Sequence, residues 1–284
     1  MASACGVVPT APAEPRHAVH GCLGLAFARR GAHTVLVRQV SRSPLHVQGV
    51  LHGPGPGAEV VVLNVAGNVL GGDVLDLEVA AGCDTHVRLR TVGATRVHRG
   101  STGVAARSQV TLRVDPGALL EYRPAELIPH TAAWFEQQTT VLLVPGGHAI
   151  VAEVVAPGRL HHGEAFTYRR LALRLRAVYA GLPVVCDRLI LEPATWSFGR
   201  RAVVGLFTHV ATLYALGPRA DGELAAELHR LVAGRGLHGS ATAADRAAVV
   251  VRVLGQSAYA LAGVLCAAAA HCRQRFQAAG PLRP

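Results

Sequence analysis

Lysine is absent from this chain: all 28 of its basic residues are arginine. A phosphate-binding loop of the Walker type therefore lacks its lysine, and Schiff-base chemistry lacks its amine. Aromatic residues are also few, with six Phe, five Tyr and two Trp. They do not interleave with an arginine run, so the net charge of +10 gives only weak support to nucleic-acid binding. No C-x-x-C pair occurs among the six cysteines, which removes the zinc-ribbon and thioredoxin readings; the six read as reduced thiols of a cytosolic protein. The first residues carry no basic segment followed by an apolar one, so 1–16 is expected to be a disordered leader and not a secretory signal. The most apolar stretch, 247–270, is interrupted by Arg252, Gln256 and Ser257. An arginine at mid-bilayer costs roughly 2.5–3.5 kcal/mol even on insertion scales, so a transmembrane helix is not expected there.

Half of the residues are hydrophobic and only 16% are charged, the composition of a globular chain with a sizeable core. Its dominant pattern, from about residue 17 to 215, is alternation. Leu75, Leu77 and Val79 oppose Asp76 and Glu78; Val87, Leu89 and Thr91 oppose Arg88 and Arg90; Val110, Leu112 and Val114 oppose Thr111 and Arg113. A period of two predicts half-buried strands. Turn signals lie between them at 81–82, 115–117, 145–147, 157–158 and 181–183, with no amphipathic helix in between. The expected class is mostly β, a sandwich or a stacked, helical β arrangement. The part from about 218 to 278 is expected to be α-rich, with Leu224, Leu228 and Leu231 at helical spacing and an alanine-rich segment ending in a basic turn; between them, "AAVVVRVLG" reads as one more strand.

Chemistry-bearing motifs are diffuse. The stretch "NVAGNVLGGDVLDLEV", 64–79, resembles a glycine-rich phosphate loop, but a strand pattern follows it where a phosphate site needs a helix N-terminus. Among 15 histidines the densest acid/His stretch is "RLHHGE". On a strand His162 and Glu164 would point the same way, which makes a metal-dependent β-fold enzyme the rival functional class. In "LLEYRPAELIPH" Glu121, Glu126 and His130 gather around prolines that interrupt strand pairing.

Taken in order, G-G-D-x-L at 71–75, "LRTVGATRVHRG", "DPGALLEYRPAELIP", "APGRLHHGEAF" and "AGLPVVCDRLILEP" resemble the urease accessory protein UreD (UreH) family, over roughly residues 20–260. The family's T-T-Q-A-x-T-K strand reads here as Thr91-Val92-Gly93-Ala94-Thr95-Arg96, so the chain reads as a divergent member with a single UreD-like domain over 17–284. The resemblance implies a mostly β protein of stacked strands with C-terminal helices. It implies no catalysis, a complex with UreF and the GTPase UreG, direct contact with apo-urease, and delivery of Ni²⁺ held only in transit. A route for such an ion needs ligands that hold weakly and release, such as single carboxylates and imidazoles, whereas a closed cage would trap it. On that implication the transient-path candidates are Asp73, Asp76, Glu121, Glu126, His130, Glu164 and Asp187. A salt bridge to arginine is the competing role for each. The C-terminal helical part is the expected partner-facing surface or, alternatively, a cap on the β core. A pure adaptor through which no ion passes is the third class.

Overall fold

The computed structural model describes residues 18–52, 55–101, 103–195, 205–244 and 246–278. Two sheets face each other. The first is seven-stranded and runs from edge to edge as Leu182–Leu191, Arg170–Tyr179, Trp134–Leu143, Ala106–Val114, Val74–Ala81, His20–Arg30 and His33–Arg42. The second follows the path His238–Ala243, Ala248–Gly255, His209–Leu216, His148–Val155, Leu119–Tyr122, His86–Thr91, Ala58–Asn64 and Leu45–His52. Three short strands, Val69–Leu70, Thr95–His98 and Leu127–Pro129, make a narrow strip at one side.

The chain visits these in a fixed rotation. It passes from the second sheet to the strip, then to the first sheet, and starts again at Ala58, His86 and Leu119 before re-entering the second sheet at His148. Each round stacks on the last, so the central ladders of both sheets and of the strip are parallel. The result is a β-solenoid-like stack with antiparallel strands at its two ends. Parallel ladders ordinarily need a helical crossover to return the chain; here each round completes the return with strands and tight turns. At one corner the turns stack too: Asp84 N–H donates to the Pro116 carbonyl at 3.1 Å and Gly117 N–H to the Gly146 carbonyl at 3.2 Å. Gly117 holds φ +71°, and a Cβ there would stand 2.1 Å from the Asp84 carboxylate, which is why glycine occupies that corner.

Alternation decides which side chains fill the space between the sheets. Leu23, Phe27, Leu77, Leu112, Phe135 and Val141 all point inward and are at most 7% exposed. A second core lies on the outer face of the second sheet. There Ile150, Leu213 and Val251 pack against α1 (Gly222–Ala233) and α2 (Ala258–Gln277), through Leu224, Leu228, Leu261 and Cys272. Asp221 caps α1 by accepting from Leu224 N–H at 2.9 Å, and Ser257 caps α2 at Ala260 N–H.

The mostly β class, the two helices and the strand at 248–255 match the sequence reading. The α-rich description of 218–278 is corrected in one respect, because a β-hairpin, His238–Ala243 with Ala248–Gly255, lies between the helices and extends the second sheet. The leader at 1–16 lies outside the described residues. No described helix is long and apolar enough to cross a membrane.

Candidate functional site

The sequence-derived candidates fall in separate places. Asp73 is 5% exposed and closes its own turn: one carboxylate oxygen accepts from Leu70 N–H at 2.8 Å and the other from Val19 N–H at 2.9 Å. Those contacts stitch the Gly71-Gly72 turn to the first strand of the chain. Gly71 is packed so tightly that a Cβ there would lie 2.5 Å from Gly100 N and 2.7 Å from the Val104 carbonyl. Asp76 sits on the outer face of the first sheet and meets His20 Nε2 at 2.7 Å.

Glu121 lies on the opposite side of the molecule, between the second sheet and α2, with no exposed side-chain surface. Arg273 of α2 donates to both its oxygens at 2.6 and 2.7 Å, His86 stands at 2.9 Å and Arg123 at 3.5 Å. Burial alone would raise the Glu121 pKa, but the Arg273 and His86 hydrogen bonds outweigh it and hold the carboxyl at about 2.

Glu126 and His130 share an open cleft of about 750 Å³ beside the strip, with Arg159, His162, His209 and the start of α2 around them. The His130 ring is 3.8 Å from that of His98. Burial lowers the pKa of both imidazoles, and Arg159 lowers them further. Glu164 stands nearby, gripped by Arg159 through Nε at 2.9 Å and through Nη2; the guanidinium brings its pKa down to about 2. His162 does not share a strand face with Glu164. It ends a short 3₁₀ turn, Leu160–His162, before Gly163 reverses the chain. Among the described residues no group of three or more His, Cys, Asp or Glu is placed to hold a metal ion.

Asp187 differs from these in facing inward. Its carboxylate accepts from the Tyr214 hydroxyl at 2.6 Å and from Arg252. Close by is Glu153, a carboxyl that the sequence reading missed. It belongs to the inward row of His148–Val155, with Val151 and Val155 in the core between the sheets, and accepts from Gln137 Nε2 across that core at 2.7 Å. Burial first, then the neighbouring Asp187 charge, push its pKa up to about 7. Gln137 and Tyr122 also line a pocket of about 190 Å³ that opens to the surface at Val92 and Gly93, together with Ser108, Asn64 and Asn68. The Asn68 side-chain oxygen is buried with no partner. Polar side chains thus recur on the inner face of successive rounds, from Asn64 through Ser108, Tyr122 and Gln137 to Glu153 and Asp187. The one sign of Glu153 in the sequence is a single acid inside the apolar run "HAIVAEVVAP", where a carboxyl has no reason to be unless it is partnered or used.

A family profile described as "UreD urease accessory protein" matches residues 19–284. A protein of Haloarcula marismortui named "Urease accessory protein UreD" is 34% identical over 257 residues, covering 89% of this chain and 86% of its own length. Its namesake from Cupriavidus pinatubonensis is 34% identical over 282 residues, covering 97% and 96%. Another, from Ralstonia nicotianae, is 36% identical over 207 residues, covering 72% and 70%.

Proposed function

The chain belongs to the UreD urease accessory protein family, and from that premise we propose that it is a non-catalytic scaffold of urease maturation that binds apo-urease and, with UreF and the GTPase UreG, passes Ni²⁺ toward the urease active site. The observation that carries the ion-passing part is Glu153. A carboxyl between two sheets, with a pKa pushed up to about 7, is half protonated near neutral pH. A divalent cation arriving there displaces the proton and gains a ligand, and among the described residues no group of three His, Cys, Asp or Glu closes around it as a trap. Gln137, Tyr122 and Ser108 offer neutral oxygens on one side, and Asp187 a second carboxylate on the other.

On this reading the earlier candidates separate by their contacts. Asp187, although paired with Arg252, faces inward beside Glu153 and stays on the proposed path, while Glu126 and His130 line the open cleft beside the strip. Asp73, Glu121 and Glu164 are engaged by backbone N–H groups or arginine. The absence of lysine accords with GTP being hydrolysed by a partner. The test is co-expression of urease and the other accessory proteins with and without this chain, reading urease-bound nickel. The proposal expects nickel-poor, inactive urease when the chain is left out. Full nickel loading without it defeats the reading.

A further inference from the structure

The two sheets are treated unequally on their outer faces. The second is covered by α1 and α2, whereas the first carries no helix among the described residues. Three arginines stand together on that bare face. Arg174 is directly opposite Arg188 on the neighbouring strand, and Arg176, two residues along on the same face, is opposite Cys186. Arg176 and Arg188 are exposed; Arg174 is partly buried, and its Nε has no hydrogen-bond partner. Nearby arginines are paired, Arg170 with Glu192 at 2.7 Å and Arg252 with Asp187. Among the described residues no acid lies within ion-pair distance of these three.

Like charges facing each other across two strands cost stability, so the fold itself supplies no reason for the arrangement. The chain has little charge left to answer it either, since of its 18 acidic residues only Glu14 and Asp245 fall outside the described residues. We propose that Arg174, Arg176 and Arg188 form a docking surface for an acidic segment of a partner protein. Guanidinium forks match carboxylates in bidentate geometry. Neighbouring strands place them about 4.8 Å apart and alternate residues about 6.7 Å apart, spacings that carboxylates on a strand or helix can meet. Beside them on the next two strands stand Gln138, Thr140, Gln109 and Thr111. The ring on that face, Trp134, is four residues along the strand from Gln138 and is stacked by Arg169 at 4.2 Å, which leaves no ring beside the three arginines for a base to stack on and favours a protein over a nucleic acid. The proposal does not depend on the ion route.

The experiment measures binding of a fluorescein-labelled oligoglutamate peptide to the full chain by fluorescence anisotropy, at low and at physiological salt. Replacing all three (Arg174→Gln, Arg176→Gln, Arg188→Gln) should weaken binding about tenfold, as expected for three carboxylate pairs at a solvent-facing surface. A control with the same charge loss at the far edge of the sheet (Arg30→Gln, Arg38→Gln, Arg42→Gln) should change it less than about twofold. Arg176→Glu alone, at an exposed position that the fold tolerates, should weaken it at least as much as Arg176→Gln, with an unchanged melting temperature. Equal losses in the patch and control variants would overturn the proposal in favour of diffuse charge. Tighter binding of duplex DNA through the same three arginines would overturn it in favour of a nucleic acid.

Discussion

Removing the Arg273 guanidinium should weaken the seam between α2 and the β core at a cost that can be worked out from Glu121. The Glu121 carboxylate has no exposed surface, and Arg273 supplies both of its shortest contacts, at 2.6 and 2.7 Å. Its pKa is lowered from 4.5 to about 2. At about 1.4 kcal/mol per pH unit, the ionised cluster therefore contributes about 3 kcal/mol. Breaking a buried pair by removing one partner typically costs about 3–5 kcal/mol. Arg123 and His86 remain beside the carboxylate after Arg273→Leu, which places the expected loss near the lower end, about 3 kcal/mol. The sign with pH follows from a depressed carboxyl pKa: the contribution is fully present above 4.5 and disappears as pH falls toward 2. Urea unfolding of wild type, Arg273→Leu, Glu121→Gln and the double variant, at pH 7 and at steps down to pH 3, is the assay. Wild type should lose stability steeply as pH falls from 4.5 to 3, and Glu121→Gln should lose less. Each single change should cost about 3 kcal/mol at pH 7, and the double variant clearly less than the sum. Single variants within about 0.5 kcal/mol of wild type would refute the account of the clasp.

Three further outcomes are expected. Gly71→Ala must push a Cβ against the backbone of Gly100 and Val104 and should cost at least about 2 kcal/mol; Gly67→Ala, with φ +76° and open space around it, should cost only about 1 kcal/mol, both read by denaturant midpoints. Asp73→Ala strands the Leu70 and Val19 N–H groups and should lower stability by about 1–3 kcal/mol. Urease activation at a temperature where the variant stays folded should then be near normal; loss of activation with unchanged stability would give Asp73 a role on the ion path instead. Glu153 has a raised pKa, so the folded chain holds that proton more tightly than the unfolded one. Its contribution is present below about 4.5 and lost as pH rises through about 7. Glu153→Gln should therefore flatten the stability profile between those pH values, and an unchanged slope would show that the carboxyl is not buried as described.

The strands were legible because their alternation is local. Leu75, Leu77 and Val79 against Asp76 and Glu78 state which face is buried before any partner strand is known. The stacking was harder to read. The strip strands Val69–Leu70 and Leu127–Pro129 are two and three residues long, too short for a period to show, so the three-part rotation of the chain is hidden. The clasp on Glu121 could not be read either, because Arg273 is 152 residues away in sequence and nothing near "LLEYRP" points to it. Glu121 was marked by standing in a segment with two prolines and Glu164 by the acid/His stretch "RLHHGE", and neither signal points to the arginine that engages it. The arginines that engage them are fixed by tertiary packing in one case and by a five-residue reversal in the other. Glu153 was passed over for the opposite reason: its neighbours are uniformly apolar, and the strand pattern alone does not say that the opposing wall offers Gln137.

The central claim is passage of nickel through the interior, and the direct test is the nickel content of urease matured with an altered interior. Glu153→Gln combined with Asp187→Asn changes two inward carboxyls while keeping their size, and leaves the outer surfaces as they are. The account predicts that this chain still assembles with its partners but yields urease with several-fold less nickel than wild type. Full nickel loading by the double variant would contradict an interior route and leave the chain an adaptor alone.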